Sequence, residues 1–243
     1  MKNLIFTFST LVALLFSSCI TDYDGGFFGG SIKGEGPVVS KALSLDGFTK
    51  IGLATSGELY LSQGDSYSVK AEAQQNIIDN LETKVEGETL KIGFDKSVSN
   101  YKSLKFYITM PALKGVSVAG SGDVAGETPF TGLDVVSLNI AGSGNINLNI
   151  EANSVEASIS GSGNVELEGE AGKAEVNIMG SGSVDAAGLK AQKADISIAG
   201  SGDCTIDATE QLDVSIAGSG DVFYLGSPQI DKSIAGSGSV ERK

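Results

Sequence analysis

The chain has 243 residues, 41% of them hydrophobic, with 33 Gly, only 4 Pro, and neither Trp nor His. Thirty acidic against 17 basic residues give a net charge of −13, a surface that repels a phosphate backbone and excludes nucleic acid as a partner. The lack of His excludes nucleophile–His–acid triads, and abundant Gly with many Val, Ile, Ser and Asn favours β-structure with frequent tight turns.

Lys2 supplies a positive n-region and Leu4 to Phe16 an apolar run of 13 residues, short for a bilayer span and right for a secretory signal. Ser17 and Ser18 precede Cys19 in a sequence that resembles a bacterial lipobox, with Phe16 where Leu is commoner. The resemblance implies that residues 1–18 are a lipoprotein signal peptide and that Cys19 is the lipidated first residue of the mature protein. An ordinary signal peptide cleaved near Ser18 is the alternative. Loss of Lys2 leaves 16 basic against 30 acidic residues, or −14, and Cys204 as the one remaining cysteine, so no intramolecular disulfide is expected. Residues 19–37 form a Gly-rich tether, interrupted by Phe27 and Phe28, that would hold the folded body away from a membrane.

Residues 38–243 are expected to form a single domain. Its first part, 38–111, predicts irregular short strands: Phe48 to Leu53, Glu58 to Ser62, Tyr67 to Ala73, Thr89 to Phe94 and Leu104 to Met110. A single helical turn fits Gln74 to Asn80, and Lys96 to Ser103 is a polar excursion. These segments are expected to be either the first coils of a solenoid or a cap over its end.

The second part, 112–243, is repetitive. Gly-Ser-Gly begins at residues 120, 142, 161, 180, 200, 218 and 236, in steps of 22, 19, 19, 20, 18 and 18. Two residues before each copy stand Val118, Ile140, Ile159, Ile178, Ile198, Ile216 and Ile234. Two earlier stand Val116, Leu138, Ala157, Val176, Ile196 and Val214, with Lys232 breaking the rule, and polar Ser or Asn lies between the two columns. That alternation puts one face in and one out. After the motif comes an Asp, Asn or Ser, then Val124, Ile146, Val165, Val184, Cys204, Val222 or Val240, so Cys204 is expected to be a buried, inert side chain. One coil of about 19 residues has a perimeter of up to about 60 Å and must stack on its neighbours to bury its apolar side. The predicted fold is all-β, a right-handed parallel β-helix with glycine corners, right-handed because parallel crossovers overwhelmingly are.

Seven copies in register argue against a phosphate-binding loop, since no Lys-Ser/Thr follows and no helix begins there. Asp203 and Asp221 fall on neighbouring coils, where either solvated carboxylates or a bound Ca²⁺ would relieve their repulsion. No cofactor is called for by any motif. A paired carboxylate with a Lys base would signal a polysaccharide lyase or hydrolase, but basic residues are scattered through the repeats. Phe223, on an outward position with Tyr224 inward beside it, and Tyr101 in the polar excursion are the candidate ligand contacts. The final repeat stops five residues short of Lys243, so its edge is expected to be open to solvent or to a second subunit.

Phe48-Thr49-Lys50-Ile51, the Gln63-Gly64-Asp65 turn, Met110-Pro111 and the recurring Ala-Gly-Ser-Gly-Asp/Asn-Val segments, with Gly144-Asn145-Ile146-Asn147, carry a resemblance across about residues 45 to 240. They resemble the head GIN domain family of putative autotransporter adhesins, Bacteroidetes-type secreted or lipid-anchored proteins. The resemblance implies a β-helical fold and a non-enzymatic binding or adhesin role; no segment reads as a membrane β-barrel translocator. The resulting expectation is a cell-envelope lipoprotein anchored to the outer membrane, periplasmic or surface-facing, with a glycan or protein ligand. An envelope polysaccharide-processing enzyme is the alternative, and a structural scaffold the third reading.

Overall fold

The computed structural model describes residues 31–243; the signal segment and Cys19 lie outside them. In chain order the strands begin with β1 (Ile32–Lys33), β2 (Val38–Leu43), β3 (Lys50–Leu53), β4 (Glu58–Gln63) and β5 (Ser68–Gln74). The single helical turn α1 (Gln75–Ile78) leads to β6 (Leu81–Glu86), β7 (Thr89–Phe94), β8 (Val98–Ser99) and β9 (Leu104–Met110). The repeats supply β10 (Gly115–Gly120), β11 (Asp123–Gly126), β12 (Phe130–Gly142), β13 (Asn145–Gly161), β14 (Asn164–Gly180), β15 (Ser183–Gly200), β16 (Cys204–Gly218), β17 (Val222–Gly226), β18 (Gln229–Gly236) and β19 (Val240–Arg242).

From β10 onward each coil pairs in parallel with the next, residue for residue: Val116 with Leu138, Leu138 with Ala157, Ala157 with Val176, then Ile196 and Val214. The architecture is a β-solenoid, as the repeat predicts. Its core is the stacked Val, Ile and Leu columns, which are almost fully buried, with Cys204 among them. Burial pushes the Cys204 thiol up to about 12, so it is not a thiolate at neutral pH. The segments between repeats, read from sequence as variable returns, are strand as well, because the same register continues through them.

Each Gly-Ser-Gly is a corner, and its two glycines answer different demands. The first has positive φ, between +108° and +144° across the seven copies, a conformation L side chains rarely adopt. The second has none of this strain but lies against the coil below: a Cβ on Gly182 would sit 2.3 Å from the Gly163 carbonyl oxygen.

The N-terminal part is both coil and cap. Strands β3 and β4 form a coil beneath β10 and β11, while β7 and β9 form another beneath β3 and β4, all in parallel. The order along the stack is therefore not the order along the chain: β3–β4 is laid down first, and the later β7–β9 coil fits on its outer side. Antiparallel pairs then close the end, β2 on β5, β5 on β9 and β6 on β7. Ile77 and Ile78 of α1 are buried at this end, and the buried Gln74 side chain accepts the Lys102 N–H at 2.8 Å.

At the other end, β18 and β19 pair on one side only among the described residues. Ile230, Lys232 and Ile234 continue the inward columns of Leu212, Val214 and Ile216 but are exposed. A lysine is tolerated at an inward position here because its ammonium reaches water, and it discourages edge-to-edge pairing.

Candidate functional site

The Val and Ile columns face inward, so chemistry is confined to the side chains that register stacks on the outer faces. On the face after the glycine corner, Asn145 donates to Asp123 at 2.7 Å and Asn164 to Asn145 at 2.9 Å. Further along the same column, the Asp203 carboxylate accepts the Asp221 N–H at 2.9 Å, and that of Asp221 accepts the Ser239 N–H at 2.7 Å. The two carboxylates flagged as Ca²⁺ candidates thus cap the backbone of the coil above them. No group of three or more His, Cys, Asp or Glu among the described residues is placed to hold a metal ion.

A second outer column stacks five carboxylates, Glu156, Glu175, Asp195, Asp213 and Asp231, on consecutive coils. Neighbours share the load: Ser137 donates to Glu156, Lys173 pairs with Glu175 at 3.0 Å, and Gln211 donates to Asp213 at 2.7 Å. The Lys173 ammonium lowers the Glu175 pKa. Asp195 is held above its ordinary value by partial burial and by the Glu175 charge. Its ionised form therefore opposes folding at neutral pH, and the opposition is relieved as pH falls through its folded pKa.

A groove of about 650 Å³ runs across β12 to β16. It arises where the inward alternation resets within β13: Leu148 and Ile150 are buried before it, Val155 and Ala157 after it, and none of residues 151–154 is buried. The in-register column Ala152, Ala171, Ala191 and Ala208 runs beneath it, with Glu151, Glu170 and Lys190 stacked on one side. Asn153, Gln192, Thr209 and Glu210 also line it. Asn153 donates to Asp134 at 3.0 Å, and Thr209 to the Ala191 carbonyl at 3.2 Å. Lys190 makes no ion pair with a described residue. Such a groove can accept hydrogen bonds from an extended hydroxyl-rich or amide-rich ligand along five coils. The sequence contains this signal, an alanine every 17 to 20 residues, but it is visible only once the register is known.

The two aromatic candidates lie elsewhere. Phe223 is half-buried between Thr205 and Glu241, with the Lys243 ammonium 4.7 Å from its ring centroid. Tyr224 beside it packs on the core, as expected. Tyr101 is itself packed against the core, and burial pushes its phenol pKa up. Sequence reasoning missed a third aromatic feature, the stacked pair Tyr60 and Tyr107, with centroids 5.2 Å apart and planes 15° from parallel.

The comparisons with known proteins agree with this architecture. A crystal structure of a putative adhesin from Bacteroides fragilis is 30% identical, with a TM-score of 0.83, over 88% of this chain and 100% of that one. A structure from Parabacteroides distasonis, described as a putative lipid binding protein, is also 30% identical, with a TM-score of 0.76 over the same shares. A putative adhesin from Parabacteroides merdae, 22% identical with a TM-score of 0.71 over 88% of this chain and 99% of that one, shares the fold. No curated protein matches the chain. The family described as "Putative auto-transporter adhesin, head GIN domain" matches residues 47–228, and the chain belongs to that family.

Proposed function

We propose that the protein is a non-enzymatic lipoprotein of the cell envelope, exported by residues 1–18, anchored to the outer membrane through Cys19, and binding a glycan or protein ligand through its solenoid body. The observation that carries the reading is the polar groove across β12 to β16, open along its length and set on a rigid stack. Membership of an adhesin-like family supports an envelope or surface role. Asp195, the carboxyl held above its ordinary value, lies outside the groove rather than in it. One observation favours a second reading, an envelope polysaccharide lyase or hydrolase: Lys190 stacks directly on Glu170 in the groove.

One experiment separates them. The purified body is incubated with a panel of envelope glycans and polysaccharides while binding and chain cleavage are both followed. Saturable binding without cleavage, weakened by Glu170→Gln and Lys190→Ala together, is the expected result. Cleavage abolished by Glu170→Gln alone would establish the enzyme instead, and neither binding nor cleavage would leave a scaffold. In cells, Cys19→Ala should release the protein from the membrane fraction; unchanged fractionation would refute the anchor.

A further inference from the structure

The stack of Tyr60 on Tyr107 has the Lys70 cation at one end and Ala125 next in register at the other, with the Lys105 ammonium 5.6 Å from the Tyr60 ring centroid. Register places Lys70, Tyr107, Tyr60, Ala125 and Asn147 side by side on successive strands β5, β9, β4, β11 and β13. The Lys70 ammonium lies 4.1 Å from the Tyr107 centroid, a cation–π contact on the end of the pair remote from Ala125. Tyr60 is fixed from within its own strand: its hydroxyl donates to Glu58, which also pairs with Lys105 at 3.1 Å.

On the opposite side of Tyr60 the next residue is Ala125, whose side chain stops at Cβ. The strand beyond carries Asn147, whose amide donates to Glu166 at 2.6 Å, away from Ala125. Two strand spacings separate Tyr60 from Asn147, about 10 Å, and one ring fills about half of that. A slot one planar group thick remains, floored by Ala125 and walled by the Tyr60 ring. Carboxylates stand at both ends. Asp123, the register partner of Glu58, stands on one side, and Glu127, which accepts from Ser62 at 3.2 Å, on the other.

We propose that this slot receives the guanidinium of an arginine on a protein partner, stacked on Tyr60 and held by Glu127 and Asp123. A guanidinium is planar, weakly hydrated and forked to match a carboxylate, whereas an ammonium satisfies the charge without filling the slot. The chain's net charge of −13 adds attraction at long range. The occupant comes from another molecule, since the chain's single arginine, Arg242, donates to Ser227 in the last coil. The slot lies apart from the β12–β16 groove, so the proposal stands or falls separately from the reading above.

The test uses the full mature chain with ¹³C-labelled tyrosine rings, titrated with an acetylated Gly-Arg-Gly-Arg-Gly peptide, its lysine counterpart and maltotriose. The arginine peptide should shift the Tyr60 ring resonances with an affinity about tenfold above the lysine peptide, falling as salt rises. Ala125→Leu, which fills the slot, should abolish the shift. Glu127→Gln, an exposed change that keeps the fold, should weaken it several-fold. Equal affinity for the lysine peptide, a Tyr60 shift that survives Ala125→Leu, or a shift produced by maltotriose would each overturn the proposal.

Discussion

Gly180→Ala destabilises the solenoid by about 3–4 kcal/mol, while Ser181→Ala, one residue on, changes stability by less than about 0.5 kcal/mol. Gly180 has a φ of +128°, and a Cβ there would sit 2.3 Å from the Gly161 carbonyl oxygen of the preceding coil. Left-handed strain alone costs about 1–3 kcal/mol, and moving a carbonyl paired in the ladder adds to it. Ser181 is exposed and its side chain has no hydrogen-bond role in the stack, so the central residue of the motif is free to vary. Gly120→Ala supplies the internal control. Its φ is +108° but a Cβ would meet nothing within 4 Å, so it should suffer the strain without the collision and cost clearly less than Gly180→Ala. Denaturant melts of the three variants measure this directly. Equal losses at Gly180 and Ser181 would mean that the corner is not formed as described.

Phe106→Ala should cost about 3–5 kcal/mol, the range for deleting a fully buried aromatic ring. Phe106 is wholly buried on β9, with Leu59 of β4 as its partner on one side and Ala71 of β5 on the other. It fills the core where the parallel coils meet the antiparallel cap. In a stacked protein each coil is stabilised by its neighbours, so the loss spreads from the cap into the first coils before the later ones. Thermal melting with hydrogen exchange should show protection lost first at β3, β4, β7 and β9. Protection lost first in β15 and β16 would contradict this account of the cap.

The repeat was legible because it is written in covalent spacing. A Val or Ile two residues before every Gly-Ser-Gly needs no tertiary knowledge to align, and it fixed the inward columns, the corners and the burial of Cys204. The rung order was not legible, because Lys50–Leu53 and Glu58–Gln63 carry no Gly-Ser-Gly to mark them as a coil, and nothing local says that the later β7–β9 will fit outside them. Strands β2 and β6 were not singled out either: β2 alternates irregularly, and β6, though it alternates strictly, turns only the half-buried Leu81, Thr83 and Val85 inward. The outer columns were invisible for a different reason. Glu156 to Asp231, the alanines beneath the groove, and Tyr60 beside Ala125 are neighbours only through register, at sequence separations of 17 to 65 residues. Asp203 and Asp221 were recognised as stacked, but their use in capping the next coil's backbone depends on a side-chain rotation that sequence does not encode.

Both the cap and the Tyr60 slot depend on β4 lying between β9 and β11, so disulfide trapping of that order is the most direct test. In a Cys19→Ala background, with Cys204 buried and unreactive, Glu58→Cys is combined with Asp123→Cys. These positions are register partners, within the reach of a disulfide, and should be cross-linked under mild oxidation. Lys105→Cys combined with Asp123→Cys would be adjacent if the coils stacked in chain order; in this fold β4 separates them by about 10 Å, too far to bridge. A cross-link in the first variant and none in the second is the predicted result. The reverse would contradict the rung order and, with it, the placement of Tyr60 against Ala125.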